Sequence, residues 1–220
     1  MWEHQGLPIV RQDAVQFNHY ERTRAVDSIV LHESAGLHPV SRMRKNGWGT
    51  HFVVDKHGDV SQYVDIALAC SHAPGMNLRA IGIEIVNPYY GPAIIPWDES
   101  IKAPWAHRRH GHERRYAVPP LCQLEACWQL VSVLTSVSLD DIEIHRVWPG
   151  ATDGSHEMAF QAGVWQRPGV VAHCHSVNPT RADGPFVSLY CWLRATRGLG
   201  PKTTRDLAMG LALQRVAVVV

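Results

Sequence analysis

The chain has 220 residues, 45% of them hydrophobic, with 21 Lys and Arg against 20 Asp and Glu. This length suits one compact domain with a short extension, and the balanced charge excludes a global electrostatic attraction to nucleic acid or to an anionic membrane. Histidine is the outlier in the composition, at 14 residues, which favours metal or proton chemistry. Because the overall charge is balanced, any substrate must be recognised by a local site on the protein.

The five cysteines contain no C-x-x-C pair, so the sequence does not indicate a disulfide framework. The N-terminal residues 1–6 lack a basic region followed by an apolar one, and no window has the apolar length of a membrane span. We therefore expect cytoplasmic synthesis without a signal peptide and no integral membrane association.

An N-terminal arm at 1–24, a main domain at 25–197 and a C-terminal tail at 198–220 are the predicted divisions of the chain. The predicted elements of the first half are a strand at 28–33, a helix at 39–46, a hairpin at 50–65 and a strand at 80–86. The helix has Pro39 near its start and Gly47 after its end, both typical helix boundaries. A turn containing Gly58 supports the hairpin.

Glu84 is an anomaly in the strand at 80–86, whose nearly continuous apolar run predicts burial on both faces. An ionised carboxylate is rarely buried without a partner or a task. A structural salt bridge is the alternative to a catalytic role.

The second half begins with a predicted long loop at 87–118, rich in Pro, Trp, His and Arg. Its H-x-x-H-x-H run at 107–112 could bind a metal, but the interleaved Arg and Gly favour a solvated loop. Later predicted elements are a helix from Leu121 to about residue 138, a short strand at 140–145, a helix beginning at Pro185 and a weakly amphipathic helix in the tail.

Two apolar runs that each end in histidine, at His32 and His173, indicate strands that deliver metal ligands from their C-terminal ends. Asp183 follows ten residues after His173, just before a helix. Two histidines and one carboxylate leave a zinc position free for water, which indicates catalysis. His175 and His145 are rivals for the second ligand. The first shares a strand face with His173, and the second begins a shorter-spaced His-to-Asp segment.

These residues supply the parts of a metallohydrolase. Zinc lowers the pKa of bound water to about 7 and polarises a carbonyl oxygen. Glu84 would pass the water proton to the leaving nitrogen, and Arg181 would stabilise the negative charge that develops on the carbonyl oxygen.

Five ordered pieces carry a family resemblance: Ile29–His32, Gly49–Asp55 with Gly58, His72–Ala73 with Asn77, Ile81–Ile85, and the His173-to-Asp183 spacing. Over roughly residues 25 to 195, the chain resembles the zinc-dependent N-acetylmuramoyl-L-alanine amidases of the type 2 class. These are related to phage amidase lysozymes and to peptidoglycan recognition proteins.

The resemblance implies a single α/β domain with a central mixed sheet, flanking helices and one zinc in a surface groove. It implies cleavage of the amide between the lactyl group of N-acetylmuramic acid and L-alanine, in peptidoglycan or a muropeptide. We expect the protein to be a monomer. The implied zinc ligands are His32, His173 and Asp183. Glu84 is the implied proton carrier, and Arg181 stands where the family often has a catalytic Lys. The implied residues near the substrate groove are His51, His72 and Asn77.

Three positions depart from the family pattern. Thr50 replaces a Tyr of the phage branch that is thought to assist catalysis, so proton transfer in the reaction is assigned to Glu84. Arg181 keeps the charge of Lys but stays protonated, and Asp183 is followed by Gly-Pro rather than Pro-Gly. The leading interpretation is that the protein is a phage endolysin or a bacterial wall-lytic enzyme. The alternatives are a cytosolic muropeptide-recycling amidase, a non-catalytic recognition module and a zinc peptidase acting on another amide.

Overall fold

The secondary structure comes from a computed structural model that describes residues 7–12, 17–34, 36–87, 100–102, 115–136, 138–139, 142–149, 151–152, 155–156, 163–176 and 183–214. The strands are β1 (Ile9–Arg11), β2 (His19–Glu21), β3 (Ser28–Glu33), β4 (Phe52–Val54), β5 (Val60–Gln62), β6 (Leu68–Cys70), β7 (Ala80–Ile85), β8 (Ser100–Lys102), β9 (Arg115–Ala117), β10 (Ser138–Leu139), β11 (Ile142–Glu143), β12 (Ala151–Thr152), β13 (Ser155–His156) and β14 (Gly169–Ala172). The helices are α1 (Pro39–Asn46), α2 (Leu121–Leu134), α3 (Pro185–Arg197) and α4 (Pro201–Gln214).

A six-stranded mixed sheet forms the centre of the fold, in the order β1-β5-β4-β7-β3-β14. The neighbours β14, β3, β7 and β4 run parallel, whereas β4 and β5 form the antiparallel hairpin that the sequence predicts. The remaining strands pair as four two-stranded ribbons. The predicted α/β class, with a mixed sheet and flanking helices, is confirmed.

The alternation of side chains along β3 explains how the site is separated from the main core. Ile29 and Leu31 pack in the large apolar cluster that includes the buried residues of α2, α3 and α4. Val30 lies in a second cluster, with residues such as Trp165. Because successive residues of a strand point to opposite faces, His32 follows Val30 onto the face away from the helices.

Most predicted elements are confirmed, including α1, the start of α3 at Pro185 and the helix in the tail. Some extents differ. Helix α2 ends at Leu134, β7 ends at Ile85, and the strand predicted at 140–145 is seen as β11 at Ile142–Glu143. Part of the predicted loop at 87–118 forms the β8–β9 ribbon. The predicted N-terminal arm contributes the edge strand β1, and the His-rich run at 107–112 lies outside the described residues. Within the described ranges, no helix has the length and apolarity needed to cross a membrane.

Candidate metal centre

Three parallel strands place a row of polar side chains across one end of the sheet. In the register of β3 and β7, His32 lies opposite Glu84. Ala172 at the end of β14 lies opposite Leu31, so His173 comes next, beside His32. Residues in register on neighbouring parallel strands share a face. The candidate ligands and the candidate proton carrier therefore come from adjacent positions.

Asp183 is brought to this row by the tight approach of the α3 start to β3. Gly184, the residue before the helix, has a φ of 88°, and a Cβ placed there would collide with the carbonyl oxygen of Leu31. Glycine alone removes both the backbone strain and the collision. The backbone N–H of Cys174 also donates to the carbonyl of Asp183 at 2.9 Å, which ties the two ligand-bearing turns together.

The facing atoms of the three predicted ligands form a triangle. The His32 Nδ1 to His173 Nδ1 distance is 3.0 Å, His173 Nδ1 to Asp183 Oδ2 is 2.8 Å and His32 Nδ1 to Asp183 Oδ2 is 3.7 Å. Tetrahedral zinc with bonds of about 2.1 Å separates its ligand atoms by about 3.4 Å. The three distances in the structure lie on both sides of that value, so small movements of the side chains would allow them to bind zinc.

The protonation of this triangle also suits a cation. Burial raises the pKa of Asp183, but the charge and hydrogen bond of His173, followed by those of His32, outweigh it and hold the pKa well below its usual range. Among the described residues, Asp183 Oδ1 is buried and has no hydrogen-bond partner. The two facing Nδ1 atoms share at most one proton, whereas a divalent cation would satisfy the nitrogens and the carboxylate together.

His72 supports the ligand His32 from behind. Its Nδ1 lies 3.0 Å from Nε2 of His32, the ring nitrogen that faces away from the triangle. Burial, and then the neighbouring His32, lower the pKa of His72 well below its usual value, so the ring is neutral. With His32 Nδ1 committed to a cation, His32 Nε2 would carry the proton and donate to His72 Nδ1. A hydrogen bond of this kind fixes the tautomer and orientation of a metal-bound histidine.

Two further residues hold this arrangement in place. A Cβ at position 82 would lie 2.8 Å from His72 Nδ1, so Gly82 provides the room for that ring. Asn77 Oδ1 accepts from the backbone N–H groups of His72 and Ala73 at 3.0 and 2.6 Å. Asn77 thus organises the loop that carries His72. Its predicted contact with substrate stays a prediction.

A second group of potential ligands, His51, Cys70 and His72, lies beside the first. His51 is fully buried, its Nδ1 accepts from the Gly82 N–H at 3.0 Å, and its Nε2 lies 3.0 Å from the Leu68 carbonyl. The Arg22 guanidinium lies 2.8 Å from the same Nε2. Burial, and then the Arg22 charge, lower the pKa of His51 to about 3, and burial raises the pKa of Cys70 to about 12.

A cation at this second group would meet the positive charge of Arg22 and would have to displace the Gly82 hydrogen bond. We infer from this burial and these contacts that His51 has a structural role. Its place in the substrate groove, which the resemblance implies, stays a prediction.

The rival second ligands lie apart from the triangle. His175 is fully buried, and its Nδ1 accepts from the backbone N–H of Ala172 at 3.2 Å. His145 is exposed and lies 3.6 Å from Glu143. Of the three candidates, His173 is the one that joins His32 and Asp183.

The two predicted catalytic groups differ in what the structure says of them. Glu84 is 7% exposed and lies in register with His32, as its proposed task requires. Arg181 lies outside the described residues, so its role stays a prediction. The sequence reasoning missed Glu33, a second buried carboxyl in an apolar strand, although the same signal had singled out Glu84.

The model of the Amidase_2 family, described as N-acetylmuramoyl-L-alanine amidase, matches residues 22–181. The chain belongs to this amidase family. The match ends just before Asp183, so the third candidate ligand is assigned here by its geometry. No curated protein matched the chain in a sequence search.

Solved structures with some likeness to this amidase-family chain include enzymes and recognition proteins. The N-acetylmuramoyl-L-alanine amidase LysC from Clostridium intestinale URNW is 21% identical over 63% of this chain and 82% of its own, with a TM-score of 0.41. Drosophila PGRP-LB is 12% identical over 88% and 96%, with a TM-score of 0.48. AmiD from E. coli, in complex with anhydro-N-acetylmuramic acid-L-Ala-D-gamma-Glu-L-Lys, is 15% identical over 55% and 48%, with a TM-score of 0.40.

Proposed function

We propose that this protein is a zinc-dependent hydrolase of the amide between N-acetylmuramic acid and L-alanine. The observation that carries the proposal is the convergence of His32 Nδ1, His173 Nδ1 and Asp183 Oδ2 at spacings that suit one tetrahedral cation. Three protein ligands leave the fourth position open, as catalytic zinc sites require. Membership of the amidase family supports the choice of bond.

Zinc in this position would supply Lewis-acid polarisation of the amide carbonyl and a hydroxide nucleophile at neutral pH. The chain's own residues supply the rest. Glu84 accepts the proton of the attacking water and delivers it to the leaving nitrogen of L-alanine. His72 orients His32 through their hydrogen bond. Arg181 stabilises the charge on the carbonyl oxygen.

The test is product analysis by mass spectrometry after zinc-loaded protein acts on purified peptidoglycan. We expect intact stem peptides with a free L-alanine amino group, and their loss in His173→Ala. His145→Ala, an exposed rival ligand outside the triangle, is the matched control and should retain full activity. Binding of the wall without release of any product would overturn catalysis in favour of a recognition module.

The proposal includes a wall-lytic role, as a phage endolysin or a bacterial enzyme. Parallel assays on polymeric peptidoglycan and on soluble anhydromuropeptides distinguish it from a recycling role. A wall-lytic enzyme should cleave the polymer at least as well as the fragments, and strong preference for the fragments would favour recycling.

A further inference from the structure

We propose that Glu33 is a positioning residue that holds the Asp183 turn against the His32 strand and thereby sets the spacing of the metal ligands. This inference rests on the proposed metal site. Glu33 lies at the end of β3, directly after His32, and is 3% exposed. Its side chain follows Leu31 onto the helix face of the sheet, opposite to the ligands.

The Glu33 carboxylate accepts hydrogen bonds from three separate parts of the fold. Oε2 accepts from the backbone N–H of Gly184 at 2.8 Å. Oε1 accepts from Asn87 Nδ2 at 2.8 Å and from the hydroxyl of Tyr116. One side chain thus joins the end of β3 to the start of α3, to the segment after β7 and to β9.

The hydrogen bond between Glu33 and Gly184 matters because each partner directly follows a candidate ligand. His32 precedes Glu33 and Asp183 precedes Gly184, so fixing this pair fixes the separation of the ligand-bearing residues. Gly184 is also the residue before the 13-residue helix α3, so the position of the whole helix start depends on this contact. A glutamine side chain has the same size as Glu33 but offers one acceptor oxygen instead of two, so it cannot accept from all three donors in the same way.

A purely structural carboxylate elsewhere in the protein provides the matched control. Glu125 accepts from the Tyr190 hydroxyl and from Arg194, with Arg194 distances of 2.9 and 3.1 Å. Like Glu33, it fastens α3 to a neighbouring element, but it contacts later turns of the helix, away from Asp183. Losing either carboxylate should reduce stability, whereas the ligand spacing should depend on Glu33 alone.

The experiment compares Glu33→Gln with Glu125→Gln by zinc affinity, measured in competition with a chromophoric chelator, and by thermal unfolding with and without zinc. We expect Glu33→Gln to weaken zinc binding about tenfold or more, because a glutamine amide turns an N–H group toward one of the three donors. The rise in Tm caused by zinc should shrink accordingly. Glu125→Gln should lower the Tm of the metal-free protein and leave zinc affinity unchanged.

Equal zinc affinity in the two variants would overturn the inference. Should Glu33→Gln fail to fold, Tyr116→Phe removes one donor and leaves the carboxylate in place, and it should alter the absorption spectrum of bound Co2+. An unaltered spectrum would likewise overturn the inference. Asp183→Asn separates the two proposals, since wild-type zinc affinity in that variant would overturn the metal site itself.

Discussion

Two clusters of potential metal ligands lie side by side in this protein, and their surroundings give them different chemistry. In each cluster, three ligand atoms lie within 4.8 Å of one another, and each contains two histidines. The first cluster adds the carboxylate of Asp183, one oxygen of which is buried and has no hydrogen-bond partner in the part of the chain that the structure describes. The second has the Arg22 guanidinium 2.8 Å from His51, and its Cys70 thiol stays protonated.

The comparison shows that ligand types and distances alone do not define a cation site. A buried negative charge favours a cation, while a guanidinium in contact with a ring nitrogen opposes it. His72 belongs to the second group by distance, yet its hydrogen bond to His32 makes it part of the first. The second cluster therefore acts as a support for the first.

Removing a ligand from the first cluster is the largest expected effect. We expect Asp183→Asn to weaken zinc binding at least about 1000-fold, equivalent to about 4 kcal/mol, because the amide brings no charge to offset the cation. Chelator competition measures the affinity, and product release from peptidoglycan measures activity. Retention of both would place the metal elsewhere and break the comparison.

The burial of His51 predicts acid sensitivity. The pKa of His51 is about 3 in the folded protein against 6.5 for an unperturbed histidine, so below pH 6.5 the unfolded chain takes up a proton that the folded chain refuses. Stability is full above pH 6.5 and falls as the pH drops towards 3, by about 2 kcal/mol between pH 7 and pH 5. Urea unfolding at both pH values should show a smaller loss for His51→Asn than for the wild type. Identical losses would contradict a structural, neutral His51.

A smaller effect is expected when the support of His32 is removed. His72→Ala should weaken zinc binding about tenfold, the lower end for loss of a hydrogen bond to a metal-bound histidine. His72→Gln retains a hydrogen-bond acceptor and should recover part of the affinity. If His72→Ala changed KM for substrate but not the zinc affinity, His72 would instead contact substrate, as the family resemblance implies.

The smallest expected effect is that of Cys70→Ser on metal binding. Because the second cluster should hold no metal, the variant should bind one zinc per chain with wild-type affinity. The Co2+-substituted wild type should also lack the intense near-ultraviolet absorption of a thiolate-bound metal. Appearance of that band, and its loss in Cys70→Ser, would show that the second cluster competes for metal despite Arg22.

Much of the fold and part of the site follow from local sequence patterns. The apolar runs that end at His32 and His173 predict strands, and parallel strands bring their C-terminal ends to one edge of a sheet. The helix start at Pro185 and the hairpin around Gly58 depend on turn and cap residues within a few positions. These signals are local, so they survive without knowledge of the packing.

Other features depend on contacts between distant parts of the chain. The register that sets His32 beside Glu84 comes from strand pairing across some fifty residues. The positions of His and Cys in the sequence likewise give no sign that Arg22 will lie against His51. The role of Glu33 likewise requires Gly184 and Tyr116 to meet it. Sequence determined the strands, the helix starts and the ligand types of this protein, because these follow from local periodicity and side-chain chemistry. Tertiary structure decided which histidines face a carboxylate and which face a guanidinium, because charge and burial depend on neighbours that the chain brings together only when folded.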